Sequence, residues 1–294
     1  MEKGLNTEKK SKILVFSVAY YPYLIGGAEL ALKEITDRIS GNMDIDMITL
    51  YAGESRLERI GNINVYRVGP KIKLVNGKIT HIPLYVKLLY MFFAFIKSLS
   101  LERQKNYDFI WSMMASFSGY VALFFKLIKP KKKFLLTLQE GDSLEHIEKA
   151  MGITYPIAKP LYRKIFEKAD MIQAISKFLG EFSRDMGSKC PIEIIPNAVD
   201  YKLFSMSQQQ GQMNALRSEL GLTENDNVII TTSRLVMKNA IGDIIDALTY
   251  LPYNTKLLIL GIGSQEKLLK EKVQLLKLDN RVQFIGYVPY KEIP

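Results

Sequence analysis

The chain predicts an α/β fold with a parallel sheet covered by helices on both faces, and three observations carry that prediction. Short runs of branched and aromatic residues alternate with stretches of helical periodicity. The runs are almost continuously apolar, as in strands buried on both faces. Glycines recur where a predicted strand passes into a predicted helix.

The elements follow in order. Residues 12–19 (KILVFSVA) read as the first buried strand, and residues 29–39 as a helix with Leu30, Ala31, Ile35 and Ile39 at helical spacing. Further strands are expected at 46–50, 63–68, 109–113, 134–138, 171–175 and 192–195, with helices at 156–168 and 178–186. A polar, Gln-rich stretch, SMSQQQGQMN, interrupts the rhythm. Strands at 228–232, 256–260 and 282–285 then alternate with helices at 241–251 and 266–276. The division expected is a loose polar tail at 1–11, a first domain at 12–204, a linker at 205–214 and part of a second α/β domain at 215–294.

The 294 residues are 48% hydrophobic, enough for more than one core and unlike a disordered chain. The formal net charge of +10 fits an anionic partner: nucleotide phosphates, an anionic membrane surface or nucleic acid. No zinc-finger or RNP-like pattern supports nucleic acid, which is not expected as a partner. The single cysteine, Cys190, forbids an internal disulfide and suits a reducing, cytoplasmic compartment. With one Cys and two His, no metal site is expected.

Residues 84–101 (LYVKLLYMFFAFIKSLSL) tempt a membrane-spanning reading, but Lys87 and Lys97 leave too short an uncharged run between them. A helix largely buried in the domain is the expectation. The alternative is a helix lying on the inner face of a membrane, its lysines reaching headgroups. The basic run KLIKPKKK at 126–133, closing the apolar segment VALFFKLI, motivates that alternative further.

Four turns carry candidate chemistry. Gly26 and Gly27 follow the first strand and open a helix, where free N–H groups and the helix dipole suit an anion; a tight turn that needs glycine is an equal reading. Arg234 and Lys238 lie in TTSRLVMKN, just past a strand end, where open α/β sheets bind ligands. A guanidinium and an ammonium there suit a diphosphate. Gly261 and Gly263 follow the next strand in LGIGS, a weaker signal. In IIPNAVD, Asn197 and Asp200 read as a structural turn.

In this order, GGAE (26–29), ADMIQAIS (169–176), IPNAVDYKLF (195–204), SRLVMKN (233–239), LGIGS (260–264) and VQFIGYVP (282–289) resemble the retaining glycosyltransferases of the group 1, or GT4, family. The resemblance covers nearly the whole chain. It implies a GT-B-type fold: two facing Rossmann-like, doubly wound domains, the acceptor mainly on the first, the nucleotide-sugar on the second. It further implies that Arg234 and Lys238 clamp the donor diphosphate and that Gly26 and Gly27 lie near that phosphate or the sugar. Gly261 and Gly263 would line the donor pocket, and Gly286, Tyr287 and Val288 would meet the nucleobase through backbone groups. The expected reaction moves a sugar from a nucleotide-sugar to a glycan or lipid-linked acceptor, in cell-surface polysaccharide or glycolipid synthesis. The donor is a co-substrate, and no cofactor or metal is expected.

Two departures qualify the resemblance. Many members carry a His-Gly pair after the strand at 134–138, where this chain reads Gln139, Glu140, Gly141 and Asp142. Glu140 and Asp142 are the candidates for sugar contact in its place, with capping of the next helix as the alternative. The family's two-glutamate motif would fall beyond Pro294, so the second domain is expected to be incomplete and the polypeptide a fragment of low activity. The competing readings are a non-catalytic nucleotide-sugar-binding or membrane-associated module and another GT-B enzyme, such as a sugar-nucleotide epimerase.

Overall fold

The computed structural model describes the backbone of residues 10–23, 26–74, 79, 82–139, 155–205 and 210–294. It divides into two compact units, Met1–Asn197 and Ala198–Pro294.

The first unit is an eight-stranded sheet. Its strands are β1 (Ser11–Phe16), β2 (Met43–Leu50), β3 (Leu57–Ile60), β4 (Ile63–Val68), β5 (Phe109–Met113), β6 (Lys133–Leu138), β7 (Met171–Ala174) and β8 (Ile192–Ile194). Their order is β3-β4-β2-β1-β5-β6-β7-β8, and every pairing is parallel except the antiparallel hairpin β3–β4 at one edge. The crossovers are α1 (Gly27–Ile39), α2 (Leu84–Lys105), α3 (Phe117–Ile128), α4 (Tyr155–Lys168) and α5 (Lys177–Asp185). Successive side chains point to opposite faces of a strand. Leu14 and Phe16 of β1 therefore join Ile48, Leu50 and Ile110 in a core with α2, α3 and α4. Ile13 and Val15 join Ile45, Met47 and Leu32 on the α1 side. Both faces of the sheet are covered, which accounts for the continuous apolar runs.

The second unit has three parallel strands, β9 (Asn227–Thr232), β10 (Thr255–Leu260) and β11 (Val282–Gly286), in the order β11-β10-β9. Its helices are α6 (Gln210–Glu219), α7 (Ile241–Leu248) and α8 (Glu266–Leu275). Leu257 and Ile259 pack against Ile241, Ile245 and Leu248 of α7 and Leu269 and Val273 of α8.

Three findings differ from the sequence reading. The stretch at 205–214 is helical from Gln210 onward, as expected of Gln, Met, Ala, Leu and Arg, which have good helix propensity without an apolar stripe. Residues 198–204 belong with the second unit, where Phe204 lies 5.6 Å from Tyr290 ring to ring.

The third concerns α2, which is not largely buried. Val86, Tyr90, Ala94, Ser98 and Leu101 turn inward, and the Tyr90 hydroxyl donates to the Ser17 carbonyl at 3.1 Å. Leu84, Tyr85, Leu88, Leu89, Phe92, Phe93 and Ile96, however, are 39% to 64% exposed. The sheet covers one side of the helix and α3 one flank. Lys87 and Lys97 do not stand on the exposed stripe: their ammonium groups sit 5.1 Å from the Phe117 ring and 4.5 Å from the Tyr66 ring. Partial burial pulls the Lys87 ammonium below the usual lysine range.

Candidate functional site at the strand ends

In both units the candidate residues sit at the carboxyl edge of the sheet, because each loop follows directly on a parallel strand.

In the first unit, the loop after β1 ends at Gly26, which caps α1 in an extended conformation. Its N–H donates to the Glu29 carboxylate at 2.8 Å, and Glu29 is buried. A carboxylate of the chain itself thus occupies part of the helix N-terminus that was expected to serve a ligand anion. Gly27 opens the helix, and a Cβ there would meet nothing within 4 Å. The fold therefore does not demand glycine at 27, and the space beside it stays open.

Sequence reasoning missed what holds this loop. Arg67, near the end of β4, is buried; it donates to the Tyr21 carbonyl at 3.0 Å and to Glu58 at 3.0 Å, and lies 4.8 Å from the centre of the Tyr23 ring. Tyr20, just upstream, hydrogen bonds with Thr36 of α1, and burial pushes its phenol up to about 12. A lone arginine in a strand gives no local signal of such a role. Gln139, at the end of β6, exchanges two amide hydrogen bonds with Asn197, at 3.0 and 2.6 Å. Glu140 and Asp142 lie outside the described residues.

In the second unit, the ends of β9, β10 and β11 lie side by side, so their loops share one ledge roughly two strand spacings, about 10 Å, across. Hydrogen bonds stitch these loops together. Ser233 N–H donates to the Leu260 carbonyl at 3.0 Å, Leu235 N–H to Ile262 at 3.0 Å, and Gly261 N–H to Gly286 at 2.6 Å. Arg234 stands exposed on this ledge, and Lys238 follows in a short 3-10 turn, Met237–Asn239, also exposed. Asn239 was not singled out from the sequence. Its amide donates to the Ser233 hydroxyl at 2.6 Å and to the Arg234 carbonyl at 2.8 Å, so it fixes the backbone that carries Arg234.

The glycines of this ledge have different physical reasons. A Cβ on Gly261 would stand 1.8 Å from the Ser233 carbonyl oxygen, and one on Gly263 would stand 2.2 Å from that of Leu235. Both spaces are filled by the chain's own backbone, so these two glycines let neighbouring loops touch. Gly286 has φ +82° with open space around it, so glycine there serves the backbone angle. Tyr287 is exposed and Val288 half-buried beyond it. Asp200 accepts from the N–H groups of Lys202 (3.1 Å) and Leu203 (3.3 Å), a turn that its own side chain closes.

With this geometry in hand, residues 25–203 match the family model described as Glycosyltransferase Family 4, and residues 212–294 that of Glycosyl transferases group 1. An uncharacterized glycosyltransferase of Methanocaldococcus jannaschii is 24% identical over 299 residues, covering 97% of this chain and 71% of the relative. The alpha-monoglucosyldiacylglycerol synthase of Streptococcus pneumoniae is 23% identical over 204 residues, covering 68% of this chain and 46% of the relative. Among solved structures, Anabaena HepE in complex with UDP and glucose superposes with a TM-score of 0.66 at 20% identity, covering 95% of this chain and 70% of that one.

Proposed function

The chain belongs to glycosyltransferase family 4 and has the α/β, GT-B-type architecture of that family; from that premise we propose that it is a retaining transferase whose nucleotide-sugar donor binds on the ledge of the second unit. The observation that carries the reading is the placement of Arg234 and Lys238 beyond β9, beside the ends of β10 and β11. The acceptor is proposed to be a glycan or a lipid-linked sugar, in glycolipid or polysaccharide synthesis at the cytoplasmic side of a membrane. The diacylglycerol-linked product named for the Streptococcus relative and the UDP and glucose of the HepE complex support this choice.

The chemistry follows from charge. As the bond from the sugar's C1 to the phosphate oxygen breaks, its electron pair goes to the diphosphate. Arg234 and Lys238 stabilise that growing negative charge, and a fixed cation aimed at developing charge lowers the barrier more than it stabilises the ground state. In the proposed retaining course, the acceptor hydroxyl forms its bond to C1 on the face the phosphate leaves and gives its proton to a phosphate oxygen. The Arg234 side chain is exposed to solvent.

Calorimetric titration of the chain with UDP and GDP, together with turnover on a panel of nucleotide-sugars, tests the reading. Arg234→Ala should weaken diphosphate binding and lower turnover at least about tenfold, since a hydrogen bond to a charged group contributes roughly 1.5–3 kcal/mol. Unchanged binding and turnover in that variant would remove the diphosphate from this ledge. Inversion at the anomeric carbon, seen by NMR of the product, would remove the retaining course.

A further inference from the structure

We infer that the exposed stripe of α2 is a docking surface for an anionic phospholipid bilayer, with the helix lying along the bilayer rather than across it. The stripe runs through Leu84, Tyr85, Leu88, Leu89, Phe92, Phe93 and Ile96. These positions recur at helical spacing over about 18 Å. Their opposite side is committed to the core, through Val86, Tyr90 and Ala94. Although α2 is long and apolar enough to span a membrane, that commitment keeps it on the sheet.

Charge identifies the occupant. The first unit holds 29 of the 40 Lys and Arg and 20 of the 30 Asp and Glu, and so +9 of the chain's +10. The carboxylate of α2, Glu102, is buried and paired with Lys132 at 2.9 Å, so the exposed face of the helix presents no acid. Exposed cations occur in the neighbouring chain segments: Lys73 precedes α2, Arg103 is in its last turn, and Lys131 and Lys133 follow α3, which packs beside α2. Leu127 and Ile128, at the end of α3, are exposed as well. An apolar stripe without acids, on a unit of high positive charge, is complementary to a bilayer whose surface is anionic. A second copy of this unit would bring like charge against like.

The direction of α2 gives the docking a consequence. The Lys105 carbonyl accepts from the Lys12 ammonium at 3.1 Å, at the start of β1, whereas Tyr90 reaches Ser17 just past the end of β1. The stripe therefore begins at the carboxyl edge of the sheet, the edge that also carries the loop after β1. A bilayer held on Leu84 and Tyr85 sits beside that edge, and a lipid-borne acceptor would reach it from the membrane.

Co-sedimentation of the full chain with vesicles decides the matter, and it contains neither donor nor acceptor, so its outcome is separate from that of the transferase reading. Vesicles of phosphatidylglycerol and phosphatidylcholine should carry the protein down, pure phosphatidylcholine far less, and added salt should release it. The double variant Leu88→Gln, Phe92→Gln should bind at least about tenfold more weakly, as both side chains are exposed and would leave the bilayer interior. Replacing Lys129 and Lys131 with Gln should weaken the preference for phosphatidylglycerol; Lys126, Lys132 and Lys133 are left alone because they pair with Asp170 and Glu102. Leu275→Gln, on α8, is exposed too and should change nothing. Matching circular dichroism would show that the variants fold. The inference is overturned if the wild type stays in solution with phosphatidylglycerol at low salt. It is equally overturned if the stripe proves to join two copies, seen in sedimentation velocity as a dimer that Leu88→Gln, Phe92→Gln dissolves.

Discussion

Gly27→Ala separates the glycine that a fold requires from the glycine that a ligand requires. Gly27 opens α1, its φ lies outside the left-handed range, and a Cβ would meet nothing within 4 Å. The new methyl group costs the folded state no contact, and it removes the extra freedom that glycine has in the unfolded chain. The variant should therefore be more stable, by about 0.4–1 kcal/mol. Bound donor is a different matter. If the phosphate or sugar packs against the Gly27 backbone, the methyl group intrudes on it, and overpacking of that kind costs about 1–3 kcal/mol. That corresponds to a fall in kcat/KM of roughly 5- to 150-fold. Urea unfolding measures the first quantity and turnover on the preferred nucleotide-sugar the second. A variant less stable than wild type by about 1 kcal/mol or more would show that the fold needs the glycine after all. A variant as active as wild type would show that no ligand approaches there. Either result defeats the reasoning.

Two further substitutions probe the ledge of the second unit. Gly261→Ala should destabilise that unit more than Gly286→Ala. The first places a methyl group 1.8 Å from a backbone oxygen that cannot rotate away, whereas the second adds only left-handed strain, about 1–2 kcal/mol; equal losses in urea unfolding would contradict that ranking. Asn239→Ala should lower diphosphate affinity without removing a charge, because two hydrogen bonds that fix the Arg234 backbone are lost, each contributing about 1 kcal/mol. An affinity equal to wild type would mean that Arg234 needs no such support.

How far the fold could be read depended on burial. The parallel strands were legible because both faces of the sheet are covered, so their sequences are apolar without interruption. The same burial hid α3. Phe117–Ile128 is apolar nearly all round, since Ser118–Leu123 and Phe125 are enclosed between sheet and neighbouring helices, and no periodicity survives in its sequence. β3 was missed for the opposite reason: Leu57–Ile60 is an edge strand, half exposed, and LERI carries two charges. The placement of Arg234 and Lys238 just past a strand was legible, because that strand is apolar and its end is marked by polar residues. Arg67 and Asn239 were not, because their roles rest on carbonyls supplied by distant or irregular backbone.

The helix α2 shows where sequence pattern stops being decisive. A helix with apolar residues on all sides is normally enclosed. Its sequence cannot tell which sides the rest of the chain will cover. Here coverage is set by the neighbours: β4 and β2 lie beneath and α3 lies alongside. The inner positions at 86, 90 and 94 and the outer ones at 85, 89 and 93 have similar residues, Val, Tyr and Ala against Tyr, Leu and Phe, yet opposite fates. Size does not separate the two faces, since the inner face holds both Ala94 and Tyr90, one of the largest fully buried side chains. The outer face holds Phe92 and Phe93 side by side, both exposed. Transfer of such rings from water to an apolar medium is favourable. The composition of the outer stripe and the positive charge of its unit thus point the same way, towards lipid.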